Sequence, residues 1–148
     1  MKQLSNKTAI VTGGTRGIGK AIVSKFIEEG CNVAFTFHSS NEEAKKLEKK
    51  LSNSSVICKG YKSNAAIFSE SLGLIENVIK DFDKVDILVN NAGITRDGLI
   101  MRMNEENWDD VINTNLKSCF NLTKAVSKIF LSQKHGSIIN ITSVVGIK

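Results

Sequence analysis

The sequence has 148 residues, 41% of them hydrophobic and 24% charged, an ordinary composition for one globular domain with its own core. The formal net charge is +5, but the lysines are scattered, and the densest run, at 45–50, is interrupted by an acid and contains no aromatic residue. This pattern predicts a solvated helix face and no nucleic-acid site, although a basic surface also suits an acidic protein partner. Cys31, Cys58 and Cys119 match neither zinc spacing nor a disulfide framework, so we expect no metal centre and a reducing compartment.

The amino-terminal residues 1–7 lead directly into a short predicted strand, so they do not form the hydrophobic region of a signal peptide. No apolar run approaches the roughly 20 residues that a membrane-spanning helix needs. We therefore expect a cytoplasmic protein that does not bind membranes.

Five short runs rich in β-branched residues are predicted as buried parallel strands: Thr8 to Thr12, Asn32 to Phe37, Val56 to Tyr61, Asp86 to Asn90 and Ser137 to Thr142. The stretches between them carry apolar residues at helical spacing, over 18–27, 44–51, 67–79 and 108–126. Strands that alternate with helices predict an α/β fold with a Rossmann-like, doubly wound parallel sheet in the strand order 3-2-1-4-5-6. Gly30 is predicted as a left-handed cap that ends the first helix, and Asn104 as the N-cap of a later one.

The sequence ends shortly after the fifth predicted strand. In this sheet order the fifth strand would be a bare edge that carries Ile138, Ile139 and Ile141, which is an aggregation hazard. We therefore interpret residues 1–148 as a single nucleotide-binding Rossmann domain that is incomplete at its carboxyl terminus, and we expect further chain beyond it.

A glycine-rich loop follows the first strand and opens the first helix, where backbone must turn tightly and approach a phosphate. Its residues are the first candidates for cofactor binding: Gly13, Gly14, Thr15, Arg16, Gly17, Ile18 and Gly19. The spacing Thr-Gly-x-x-x-Gly-Ile-Gly resembles that of the short-chain dehydrogenase/reductase family. The resemblance implies that the domain binds a nicotinamide dinucleotide.

The preferred dinucleotide depends on the end of the second strand, where an NAD enzyme usually places an acid for the ribose hydroxyls. Here His38 and Ser39 follow the strand, and the first carboxylate is Glu42. A 2′-phosphate would meet no repulsion, and Arg16 can supply its positive charge. The sequence therefore predicts NADP(H), with His38 and Ser39 as further contacts.

The resemblance adds two more cofactor-binding segments. Asn91, Ala92 and Gly93 match the family motif after the fourth strand, which brackets the adenosine side and supports the sheet. Asn64 and Ala65 stand after the third strand, where the family usually has Asp-Val against the adenine. An amide oxygen can still accept a hydrogen bond from the ring amine.

The family's enzymes use Asn, Ser, Tyr and Lys in catalysis. By motif match, Asn115 is the Asn, which supports a water relay, and Ser143 is the Ser, which orients the substrate carbonyl. The Tyr-x-x-x-Lys motif falls beyond Ser143 in the family and is not in this sequence: Tyr61 is its one tyrosine, and Ala65 follows four positions later. Because a positioned acid typically contributes 10²- to 10⁴-fold, we expect that these 148 residues alone do not turn over.

Three segments closely resemble one branch of the family, the bacterial β-ketoacyl-acyl carrier protein reductases: 93–103 (GITRDGLIMRM), 108–117 (WDDVINTNLK) and 135–141 (HGSIINI). The resemblance implies NADPH-dependent reduction of 3-oxoacyl groups on acyl carrier protein to the (3R)-hydroxyacyl form, for fatty acid biosynthesis. It further implies a carrier contact at Lys134 and a homotetramer with a dimer face over 104–131. Two alternatives stay open: an acetoacetyl-CoA or other ketone reductase, and a non-catalytic nucleotide-binding fragment.

Overall fold

Five parallel strands form one sheet in the computed structural model, which describes residues 2–143. The strands are β1 (Thr8–Val11), β2 (Asn32–Phe37), β3 (Cys58–Lys62), β4 (Ile87–Asn90) and β5 (Ser137–Asn140). Their order in the sheet is β3-β2-β1-β4-β5, and every neighbouring pair is parallel. The predicted fold class and strand order are therefore confirmed. Within the described residues β5 pairs with β4 alone, and its Ile138 and Ile139 are 39% and 42% exposed.

Five α-helices connect the strands: α1 (Gly17–Glu28), α2 (Asn41–Leu51), α3 (Phe68–Phe82), α4 (Glu105–Val111) and α5 (Ser118–Gln133). A 3₁₀ turn at Ile100–Arg102 precedes α4, and a π-helical segment at Ile112–Lys117 joins α4 to α5. The helical stretch predicted over 108–126 thus covers the end of α4, the π-helical segment and the first part of α5. Trp108, Leu116 and Phe120 are exposed rather than part of the core.

The alternation of side chains along the strands builds two apolar layers, one on each face of the sheet. On β1, Ala9 and Val11 pack with α1 and α2, whereas Ile10 packs with α3 and α5. Each fully buried aliphatic side chain contributes about 1.5–3 kcal/mol relative to an exposed one. The two layers pack against the sheet from both sides. Because all strands are parallel, the loops at their carboxyl ends lie along one edge of the sheet.

Both predicted helix boundaries are confirmed by their hydrogen bonds. Gly30 has a φ of +85°, its N–H donates to Ile27 O, and the Cys31 N–H donates to Phe26 O, which is a Schellman ending of α1. At the start of α4, the Asn104 side chain accepts a hydrogen bond from the Asn107 N–H at 2.8 Å. The chain direction at both points is therefore set by local sequence.

A buried carboxylate links the amino-terminal ends of β1 and β4. Asp86 is 4% exposed and accepts the Thr8 N–H at 2.9 Å, while Lys7 Nζ lies 3.3 Å and Lys84 Nζ 3.6 Å from its oxygens. Burial by itself raises the pKa of Asp86, but the Thr8 N–H and the Lys7 and Lys84 ammonium groups outweigh burial, so the pKa lies below its usual value. A carboxyl group of lowered pKa stabilises the folded state only while it is ionised.

Replacement of this carboxylate should change how stability depends on pH. At pH 7 we expect Asp86→Asn to lower the free energy of unfolding by about 1.5–3 kcal/mol, because charged hydrogen bonds are lost. The native advantage is present above the unfolded pKa of about 4 and disappears as the pH falls through the lower folded value, so the two proteins should converge there. Urea unfolding at pH 7 and at a series of pH values below 4 measures both effects. The exposed Asp109→Asn variant is the control, and equal losses in the two variants at pH 7 would contradict the prediction.

Candidate functional site

A cleft of about 650 Å³ lies at the carboxyl ends of the strands. The loops after β1, β2, β3 and β4 all contribute to it, and α4 and the π-helical segment add one wall. Convergence of these loops follows from the parallel sheet, in which every strand ends at the same edge. The cleft is therefore the place where chemistry from four separate segments can meet.

The glycine loop forms the floor of the cleft, and its glycines have different reasons to be glycine. Gly13 and Gly17 adopt φ values of +65° and +53°, which side chains rarely allow. A Cβ at Gly14 would lie 2.5 Å from Phe35 Cβ, and a Cβ at Gly19 would lie 2.1 Å from the Gly13 oxygen. Gly14 and Gly19 thus let α1 pack closely against the loop and β2, while Gly17 has no atom within 4 Å of its missing Cβ and borders open cleft.

Helix α1 points its amino terminus into the cleft without a side-chain cap. Arg16 occupies the N-cap position in an extended conformation and makes no capping hydrogen bond, and the first turn contains no acid. The free N–H groups and the positive end of the helix dipole together favour an anion. The glycines of the loop leave an open space in front of this terminus, which we call the glycine cradle. This space fits a phosphate group.

A hydroxyl brace holds the glycine loop to β4. Thr12 Oγ1 accepts the N–H groups of Asn91 at 2.9 Å and Ala92 at 2.8 Å, and it donates to Val89 O. In return, Asn91 Nδ2 donates to Thr12 O at 2.9 Å and Gly13 O at 3.3 Å. These bonds fix the loops after β1 and β4 relative to each other, and sequence reasoning missed Thr12 because its partners are about 80 positions away.

The end of β2 borders the cleft without a carboxylate. Thr36 Oγ1 accepts the Gly13 N–H at 3.2 Å, which ties this end to the glycine loop. His38 and Ser39 line the cleft and are exposed, and the first acids, Glu42 and Glu43, stand in the first turn of α2. This part of the cleft has no negative charge of its own to repel an anion.

The residues after β3 close the same end of the cleft. Asn64 Oδ1 accepts the Ala66 N–H at 3.0 Å, and the Asn64 N–H donates to Glu70 at 2.6 Å. Because an amide oxygen has two lone pairs, Asn64 Oδ1 can accept one further bond from a ligand. Ser63, a lining residue not predicted from sequence, has a buried Oγ without a hydrogen-bond partner.

The opposite wall comes from the segment after β4. The Asn115 amide both accepts the Ile94 N–H at 2.8 Å and donates to Ile94 O at 2.9 Å, so it clamps this segment to the π-helical turn. Arg96 and Asp110 form an ion pair at 3.4 Å, and both line the cleft. Sequence patterns gave no signal for the Arg96–Asp110 pair.

Comparison with known proteins assigns the family. A profile described as short chain dehydrogenase matches residues 7–148, nearly the whole chain. The chain belongs to the short chain dehydrogenase family. The resemblance stated from the glycine loop and the Asn-Ala-Gly motif is therefore confirmed.

Several curated relatives are 3-oxoacyl-[acyl-carrier-protein] reductases named FabG. The chain is 45% identical over 141 residues to that of Staphylococcus epidermidis, and 41% identical over 145 residues to that of Thermotoga maritima. These alignments cover 95% and 98% of this chain but 58% of each relative, so the chain spans little more than half of their length. A crystal structure of NAD⁺-bound xylitol dehydrogenase has a TM-score of 0.92 at 28% identity, and the match covers 99% of this chain and 56% of that one.

Most of the residues predicted to bind the cofactor line the cleft: Gly13, Thr15, Arg16, Gly17, Ile18, Gly19, His38, Ser39, Asn64, Ala65, Asn91, Ala92 and Gly93. Gly14 lies behind the loop against Phe35 and does not line it.

The two residues predicted to be catalytic, Asn115 and Ser143, are not among those that line the cleft. Asn115 is beside the cleft, with its side-chain amide engaged by Ile94. Ser143 follows β5 at the carboxyl edge of the sheet and is exposed; the residues after it lie outside the described part of the chain. Tyr61 is on β3, where its hydroxyl donates to Asp81 of α3, and it does not line the cleft. Burial raises the pKa of Tyr61, and the Asp81 carboxylate adds to this effect.

Residues 2–143 contain no cluster of three or more histidine, cysteine or carboxylate side chains that would suit a metal ion. Among the described helices, none is long and apolar enough to cross a membrane.

The hydroxyl brace gives a direct test of what shapes the cleft. Thr12→Val keeps the shape of the side chain but leaves the Asn91 and Ala92 N–H groups without an acceptor. We expect it to lower the free energy of unfolding by about 2–3 kcal/mol, since each unpaired group costs roughly 1–3 kcal/mol. Thr12→Ser keeps the acceptor and should lose less than half as much. Chemical unfolding measures both, and a larger loss in Thr12→Ser than in Thr12→Val would show that the methyl group, not the hydroxyl, matters.

Proposed function

We propose that this chain is the cofactor-binding part of an NADP(H)-dependent reductase of 3-oxoacyl groups carried on acyl carrier protein, as in fatty acid biosynthesis. The proposal rests on the amino terminus of α1, which has no side-chain cap and faces the space that the glycine loop leaves open. The end of β2 lies beside this space and has no carboxylate. Bound at this cleft, NADPH supplies the hydride for the carbonyl. The names of the 41–45% identical relatives supply the substrate class.

Charge around the β2 end supports NADP(H) over NAD(H). Arg16 is exposed at the cleft and makes no ion pair within the described residues, so its guanidinium is free to bind a 2′-phosphate. His38 and Ser39 can add hydrogen bonds, and Asn64 can accept one from the adenine amine. The similar xylitol dehydrogenase structure holds NAD⁺, so the proposed preference of this chain differs from the cofactor in that structure.

The role of Ser143 follows its motif match, and the role of Asn115 is adjusted to the contacts of its side chain. We assign Ser143 to the substrate carbonyl, since it lies at the carboxyl edge of the sheet. We assign Asn115 to holding the π-helical turn against Ile94. Because its side-chain amide is engaged there, we propose that the water relay uses groups around Asn115 and not this amide. Reduction of a ketone leaves an alkoxide that needs a proton, and no Tyr-x-x-x-Lys motif occurs in these 148 residues to donate it.

The face formed by α4, the π-helical segment and α5 supports self-association. An apolar groove of about 630 Å³ lies there, and Leu116 and Phe120 on its rim are 65% and 60% exposed. The sequence from 94 to 111 has two arginines and five carboxylates, whereas 112–134 has four lysines and no carboxylate. Two copies packed antiparallel would pair these opposite charges, which is the isologous contact expected of a dimer within the proposed homotetramer.

Lys134, proposed to contact the carrier, caps α5 at a φ of +57°. Its neighbour His135 lies 3.8 Å from Asp86, at the amino-terminal edge of the sheet and thus opposite to the cleft. Within one chain, Lys134 is therefore far from a substrate in the cleft. We propose its carrier contact only for an assembly in which it borders the cleft of another copy.

The cofactor preference can be tested with charge changes in the cleft. We expect the native chain to bind NADPH more tightly than NADH, and Arg16→Ala to weaken NADPH binding about 10- to 100-fold, the equivalent of roughly 1.5–3 kcal/mol for charged hydrogen bonds, with little effect on NADH. Ser39→Asp should weaken NADPH further by repulsion. Fluorescence titration measures the affinities, and Arg102→Ala, exposed and outside the cleft, is the control. NADH bound as tightly as NADPH by the native chain would contradict the assignment.

Turnover by the 148-residue chain separates the competing functions. We expect NADPH binding but no consumption of NADPH with an acetoacetyl thioester, because these 148 residues contain no Tyr-x-x-x-Lys motif to donate the proton. Measurable turnover would show that another group replaces the tyrosine. Joined to a segment that contains Tyr-x-x-x-Lys, a reductase should be active, whereas the non-catalytic alternative predicts binding without turnover. Carrier-linked and coenzyme A-linked substrates then discriminate the two kinds of reductase.

A further inference from the structure

The cleft contains a second arginine that the motifs do not account for. Arg96 lies in the segment after β4 and lines the same cleft as Asn64 and Ala65, which follow β3. Asp110, near the end of α4, lines the cleft beside it. A residue in this place can contact whatever the cleft binds between the ends of β3 and β4.

Two contacts fix the position of the Arg96 guanidinium. Its Nη1 donates to the Thr95 carbonyl at 3.2 Å, and its Nη2 lies 3.4 Å from Asp110 Oδ2. Both partners engage N–H donors, which lie in the plane of the group, and so they leave its two faces available for stacking. The Arg96 side chain is 44% exposed, so that a face can be reached from the cleft.

The two arginines of the cleft have different electrostatic surroundings. Arg16 makes no ion pair within residues 2–143, whereas the charge of Arg96 is offset by the Asp110 carboxylate. An unpaired guanidinium suits a phosphate. A paired one retains its flat, polarisable surface and suits an aromatic ring, on which guanidinium groups stack.

We propose that Arg96 stacks on the purine base of the bound dinucleotide and that Asp110 is the positioning residue that holds the guanidinium for this contact. In this arrangement the base lies between the loops that follow β3 and β4. Asn64 and Ala65 then contact the side of the base that faces away from Arg96. This inference rests on the proposed dinucleotide binding and extends it to a residue that recognises the base rather than the 2′-phosphate.

The test compares ligands that share the purine but differ elsewhere. Titration of the chain with NADPH, NADH and 5′-AMP should give a loss of about 3- to 10-fold for Arg96→Ala with all three, the equivalent of roughly 0.6–1.4 kcal/mol and the size expected of a cation–π contact. Arg96→Lys keeps the charge without the plane and should lose nearly as much as Arg96→Ala. Arg102→Ala is the matched control for loss of an exposed arginine outside the cleft.

The outcomes separate this inference from the proposed function. If the native chain binds none of the dinucleotides, both are wrong. If it binds NADPH but Arg96→Ala changes no affinity, or weakens NADPH alone, the stacking role is wrong and the proposed function stands. Full retention of affinity by Arg96→Lys would show a charge contact and would also overturn stacking.

The positioning role of Asp110 has its own readout. Asp110→Asn should weaken 5′-AMP binding by about 2- to 5-fold, and the double variant with Arg96→Ala should bind no worse than Arg96→Ala alone, since Asp110 acts through Arg96. Additive losses would show that Asp110 acts independently. Thermal unfolding of both single variants should match that of the native chain, because this exposed ion pair contributes little to stability.

Discussion

The close approach of helix α1 to the loop before it is the constraint on which the cleft depends. A Cβ at Gly19 would lie 2.1 Å from the Gly13 oxygen, and a Cβ at Gly14 would lie 2.5 Å from Phe35 Cβ. Glycine at both positions lets the helix start close to the sheet edge, directly behind the turn at Gly13. The uncapped N–H groups of α1 therefore face the space into which a phosphate fits, and this geometry comes from packing as much as from backbone freedom.

Loops from other strands complete the cleft by bonding to this turn. Thr12 and Asn91 exchange hydrogen bonds between the β1 and β4 ends, and Thr36 accepts the Gly13 N–H from the β2 end. Because these partners lie on separate strands, this part of the cleft forms only when β2, β1 and β4 have assembled side by side. Binding and folding are thus coupled: a ligand held here would stabilise the native state by an amount that grows with the logarithm of its concentration over its Kd.

The strands, their order and the glycine loop could be predicted because their signals are local. Short β-branched runs, helical spacing, a left-handed glycine at Gly30 and an Asn104 cap each act within a few residues. The Thr12 brace and the Arg96–Asp110 pair could not be predicted, since their geometry depends on contacts between distant segments. The helical spacing of Trp108, Leu116 and Phe120 did not show which way they face, because an apolar stripe that faces outward has the same spacing as one that faces the sheet.

The nucleotide is assigned to the glycine cradle, not to the groove lined by the π-helical segment and α5. Amide resonances followed by nuclear magnetic resonance during titration with NADPH test this assignment most directly. The account predicts large shifts at Gly13, Gly17 and Gly93, and small ones at Leu116 and Phe120. Shifts confined to the groove, or none at the cradle while NADPH binds, would contradict it.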